Sequence, residues 1–178
     1  MSLSQENQSP LPSRSAPSRA QMVQHLRRAN AIAQAAMNSG HHPFGAILVA
    51  PDQTTVLLEQ GNLDPVNHAE ATLARTAYAR FAPHYLWDCT LYSTVEPCVM
   101  CAGAQYWANI GRLVYGMTEQ RLLALTGNHV ENPTLDVPCR YVFEHGQKPI
   151  QVWGPIPEVE TEISQLHQPF WKATPKCP

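Results

Sequence analysis

The chain is 178 residues long, with a formal net charge of −2 and 44% hydrophobic residues, a balance that suits one soluble globular domain with a full core. Its twelve Lys and Arg are scattered rather than gathered into a basic stripe, so the usual footprint of a large nucleic-acid interface is missing. No apolar run approaches membrane-spanning length, and the first twenty residues lack the apolar stretch of a secretory signal, so a cytoplasmic protein is expected.

Residues 1–17 are mostly Ser, Pro and Gln with little to bury, and are expected to be a disordered tail ahead of one domain over 18–178. Ser18 is placed to cap a helix running to Gly40, with Met22, Leu26, Ala29, Ile32, Ala33 and Ala36 on its apolar face. Two strands, 45–50 and 54–59, flank the turn at Pro51-Asp52-Gln53. A helix over 69–82, a strand over 89–95, a helix over 98–109 and a strand over 112–116 follow. The stretch 119–146, rich in Asn, Pro and Asp, reads as loops over one face. A last strand at 150–153 and a closing helix, with Val159, Ile163, Leu166 and Phe170 inward, complete the chain. An opening hairpin followed by alternating helices and strands predicts an α/β fold, a mixed sheet of about five strands between helices in a three-layer α/β/α arrangement.

Five cysteines, an odd number, sit in a chain expected to stay reduced, where a C-x-x-C is more often a metal or redox motif than a disulfide. Cys98 and Cys101 stand three apart at a helix start, behind Pro97, so both sulfurs share one face and the helix N-terminus favours their thiolates. By residue frequency, P-C-x-x-C should arise by chance only roughly 0.01 times here, against roughly 0.4 times for H-x-E. H-x-E does occur twice, at His68-Ala69-Glu70 and at His129-Val130-Glu131. His68 opens an Ala-rich helix that can hold it rigid, whereas Gly127 and Pro133 keep His129 out of one. His68, Cys98 and Cys101 are therefore the expected zinc ligands, one ion per chain, with a fourth position open. Glu70, two residues beyond the first ligand, is placed to move protons rather than to bind the ion. Cys89, Cys139 and Cys177 lack spacing partners.

The order H-x-E then P-C-x-x-C resembles the zinc-dependent cytidine deaminase-like superfamily over about residues 20–120. With His as first ligand the chain is similar to the branch that holds guanine, cytosine and tRNA adenosine deaminases. That resemblance implies hydrolytic deamination of a free nucleobase or related aminated heterocycle, guanine first, with wobble adenosine of tRNA as the alternative. A zinc-stabilised interaction protein is the non-enzymatic alternative. It further implies that Asn62 holds the ring, in a loop shorter than usual, and that Phe44, Ala69 and Trp107 surround it. Tyr106-Trp107 resembles guanine deaminases, and the aromatic tail with Phe170 and Trp171 resembles a lid over a small substrate. The acidic segment that reads guanine's edge has no clear counterpart, leaving Glu131 or Asp136 as its expected substitutes. A homodimer, formed around Tyr106 and Trp107, is also expected.

Overall fold

The computed structural model describes residues 15–127 and 129–172; most of the expected tail over 1–17, and Cys177, lie outside them. Helix α1 (Arg19–Asn38) starts where the sequence places it: Ser18 Oγ accepts from Gln21 N, and Gln21 Oε1 accepts from Ser18 N, a reciprocal capping box. It buries Met22, Leu26, Ala29, Ala33 and Ala36, together with His25, while Ile32 is only half-buried.

Five strands follow, β1 (Gly45–Val49), β2 (Val56–Gly61), β3 (Thr90–Val95), β4 (Arg112–Met117) and β5 (Gln151–Trp153), in the order β2-β1-β3-β4-β5. β1 is antiparallel to both β2 and β3, whereas β3, β4 and β5 run parallel. The central strands β1, β3 and β4 are buried along their whole length, so alternate residues feed two separate cores. Ala46, Leu48, Leu91 and Leu113 pack with Leu73 and Ala77 of α2 (Ala69–Arg80) and Ala102 of α4 (Val99–Trp107). Ile47, Val49, Tyr92 and Val114 face the other way, onto Leu26 of α1 and Ile163 of α7 (Pro157–Lys172). The expected three-layer α/β/α fold with a mixed five-stranded sheet is thus present. Gly45 allows the α1 layer to lie very close to β1: a Cβ there would sit 2.2 Å from Ala29 O.

Two expectations are corrected. The stretch 119–146 is not all loop, since it contains α5 (Glu119–Thr126) and α6 (Cys139–Glu144). Thr118 caps α5, its side chain accepting from Arg121 N at 3.0 Å. A further bond at each helix start comes from elsewhere in the chain. Glu96 accepts from Glu119 N at 3.3 Å and from Cys139 N at 3.0 Å, so one carboxylate serves two helix starts. In α7 the buried stripe runs Val159, Ile163, His167, Trp171, and Leu166 and Phe170 are only partly covered. An apolar pattern alone points to Leu166, but the Trp171 indole N–H donates to His167 Nδ1 at 3.0 Å, and that pairing lets two polar rings share the buried face. A short helix, α3 (Pro83–Leu86), follows α2.

Candidate active site

Two helices begin at one point above the carboxyl end of β3. His68 is the N-cap of α2 and Cys98 the N-cap of α4; both have extended backbones, and neither uses its side chain to cap its helix. Their side chains are therefore left for other work. Cys101, one turn into α4, is buried. His68 Nδ1 lies 3.7 Å from Cys98 Sγ and 3.6 Å from Cys101 Sγ, and the ligating atoms of all three residues lie within 4.8 Å of one another. Tetrahedral zinc, with Zn–S near 2.3 Å and Zn–N near 2.0–2.1 Å, sets nitrogen and sulfur about 3.6 Å apart. The donor set and spacing fit zinc. His129, from the second H-x-E, is not part of this cluster; its ring meets Trp171 instead.

The two thiols share a hydrogen bond, which pushes Cys98 down to about 4 and Cys101 up, burial adding to the rise at Cys101. Zinc binding requires both sulfurs as thiolates, so a bound ion would release the proton that the hydrogen bond with Cys98 and burial keep on Cys101. Glu70 is buried in the first turn of α2, where Oε1 accepts from Ser93 Oγ at 2.5 Å and Oε2 lies 3.4 Å from Cys101 Sγ. Burial pushes its carboxyl up, against the Ser93 hydrogen bond, which makes it a better proton acceptor than an exposed carboxylate. Ser93 gives no signal in the sequence beyond its place in a strand.

Phe44, His68, Glu70 and Cys98 line one pocket with Glu96, Glu119 and Asn132. Phe44 stacks over the His68 ring at 6.5 Å and meets Trp171 at 6.3 Å. His42 is wedged against Trp171 and Phe170, with ring centroids 4.9 and 5.5 Å away, and pairs with Glu131 at 3.4 Å. The end of α7 therefore packs against the pocket wall. Asn62 is buried behind Phe44, its N–H donating to Phe44 O at 3.0 Å, and its side-chain Oδ1 has no partner. Ala69 is fully buried in the core. Asp136 is exposed, and Trp107 is 77% exposed in a separate apolar groove between α2 and α4, so neither lines this pocket.

A hydrogen-bonded carboxyl beside three donors, one nitrogen and two sulfurs, that would hold a zinc ion and leave a coordination position for water is the arrangement of a metal-dependent hydrolase site. Residues 19–117 match the model of the cytidine and deoxycytidylate deaminase zinc-binding region, and the chain belongs to that family. It is 35% identical over 151 residues to the "Probable cytosine deaminase" of Schizosaccharomyces pombe, covering 83% of this chain and 90% of that one. It is 40% identical over 150 residues to the guanine deaminase of Bacillus subtilis, covering 82% and 88% of the two chains. The solved guanine deaminase of Nitrosomonas europaea shares the fold, with a TM-score of 0.68 at 20% identity over 92% of this chain and 89% of that one. The protein is a zinc-dependent hydrolytic deaminase. Among the described residues no helix is long and apolar enough to cross a membrane.

Proposed function

We propose that the substrate is a free nucleobase or closely related aminated heterocycle, with guanine as the first compound to test. The observation that carries this reading is the charge of the pocket: its lining includes Glu70, Glu96 and Glu119 but no Lys or Arg. Nucleotides and RNA loops bring phosphates, which need cationic partners. A neutral ring does not. The aromatic wall of Phe44, backed by Trp171, suits a flat ring, and Asn62 behind it, its Nδ2 held by Asp64 O and its Oδ1 without a partner among the described residues, is the amide we assign to the ring's edge.

Bound at His68, Cys98 and Cys101, zinc would supply an acidified water at its open position. Glu70 takes a proton from the attacking water at a carboxylate oxygen and passes it to the ring nitrogen next to the amino-bearing carbon. It then moves the second water proton to the leaving amino group, so C–N breaks, C=O forms and ammonia departs. The short Ser93 contact holds Glu70 in the rotamer this shuttle needs. We place the protein in the cytoplasm, where its thiols stay reduced.

The purified zinc form should release ammonia from guanine or another free base in a panel with cytosine, adenine and aminated pteridines and triazines. It should form no inosine in an anticodon stem-loop. A chain ending at His167 should lose the free-base activity if the aromatic tail closes the site. Inosine in the RNA, with no ammonia from any free base, would make tRNA the substrate.

We further propose that two chains pair across the groove of α2 and α4, where Tyr78 and Trp107 are 57% and 77% exposed beside Ala74, Met100 and Ala104. Light scattering at micromolar concentration should give twice the 19.8 kDa of one chain. Trp107→Glu should give the single-chain mass. A fully active monomer of the unaltered chain would end this claim.

A further inference from the structure

Three carboxyl groups line the pocket, and two of them have evident work. Glu70 accepts from Ser93, and Glu96 accepts from two backbone N–H groups. Glu119 differs. It is the first residue of α5, a position where an acidic side chain ordinarily reaches water and meets the helix dipole from the surface. Here only 8% of it is exposed, and among the described residues no donor meets its carboxyl oxygens. The Glu96 carboxylate, gripping Glu119 N, fixes the start of α5 so that the Glu119 side chain lies beside His68, Glu70 and Cys98.

A carboxyl buried to this degree gives up most of its hydration, and without a donor it gains no hydrogen bond in return. Folding alone gives no reason to keep it, and a hydrophobic residue would fill the same space at less cost. Burial and the neighbouring negative groups push its carboxyl up to about 8, so a donor brought into the pocket by a substrate would restore the carboxylate form. The two acids of the loop that follows are already accounted for, since Glu131 pairs with His42 at the pocket rim and Asp136 is exposed.

We propose that Glu119 is the specificity-determining residue of the pocket: its carboxylate accepts a hydrogen bond from a ring N–H of the substrate, next to the amino group that leaves. This rests on the free-base reading and narrows it. The ring selected carries an N–H donor beside its amino-bearing carbon, as guanine does, rather than a bare ring nitrogen there. Glu131 and Asp136 are relieved of that role. The acceptor is matched to the ring by charge as well as position, which favours neutral or cationic heterocycles over anionic ones.

The test separates binding from turnover by working in zinc-loaded Glu70→Gln. Calorimetry compares guanine with 2-aminopurine, which keeps the amino group but has a bare nitrogen where guanine has N1–H. A charge-assisted hydrogen bond predicts that guanine binds about 10- to 100-fold more tightly. Adding Glu119→Gln should shrink that preference to less than about threefold while zinc content stays at one per chain, and adding Glu119→Asp should give an intermediate value. Adding Asp136→Asn should leave it intact. An undiminished preference in both Glu119 variants overturns the proposal, as does loss of zinc in Glu119→Gln, which would make the residue an orienting partner of His68. If Glu119→Gln does not fold, the Glu119→Asp variant decides alone. Failure of the Glu70→Gln protein to bind any ring of the panel would instead remove the free-base reading itself, and Glu119 with it.

Discussion

Glu70→Gln should keep its zinc and lose about 10²–10⁴ in turnover, the range by which a positioned acid–base group accelerates proton transfer. The substitution preserves size and the contact to Ser93 Oγ but removes the group that accepts and returns protons. Elemental analysis and an ammonia-release assay on the same preparation check both halves. Near-parental turnover would show that another group carries the protons, and lost zinc would make Glu70 a ligand. Because three donors already complete the cluster, retention of the metal is the expected outcome.

The second large effect is expected at the cluster itself. Cys98→Ala, Cys101→Ala and His68→Ala should each bring zinc well below one per chain and abolish deamination, since a two-donor remnant holds the ion weakly. Cys101→Ala should also lower Tm, because its sulfur is buried at the junction of α2, α4 and β3 and an unfilled space would remain. His129→Ala is the informative contrast: its ring lies against Trp171, outside the cluster, and zinc content should stay at the parental level. Zinc lost from His129→Ala but held by His68→Ala would reverse the choice between the two H-x-E matches.

The metal cluster was legible in the sequence because its elements are local. Cys98 and Cys101 share one helical turn, and His68 and Glu70 share another, so spacing along the chain already fixes direction within each pair. Helix α1 was legible for the same reason: its cap, Ser18, and the partner of that cap, Gln21, are three residues apart. α6 was not. The carboxylate at its start belongs to Glu96, 43 residues earlier, and no local pattern records such a bond. The inward face of α7 was misjudged because His167 and Trp171 become acceptable in a core only when their ring nitrogens meet.

The residues around the substrate show the same division. Resemblance placed Phe44 and Trp107 together, yet the structure sets Phe44 in the pocket and Trp107 in an exposed groove on the outer side of α4. Four of the pocket-lining residues, Phe44, Glu96, Glu119 and Asn132, come from four separate segments that meet only when β3 and β4 lie side by side and α5 folds back across them. By itself the sequence determined the outline of the site: which three donors are positioned to bind a metal ion, which carboxyl stands beside them, and the alternation of strands and helices that carries them. Those features depend on spacings of two to four residues, within the reach of one helical turn or one strand pleat. Only the tertiary structure decided that Glu119 is buried with no hydrogen-bond donor among the described residues while Glu131 is tied to His42. An acidic side chain in a first helical turn looks the same in any sequence, and whether it meets water or a substrate depends on contacts made across the sheet, where sequence distance carries no information.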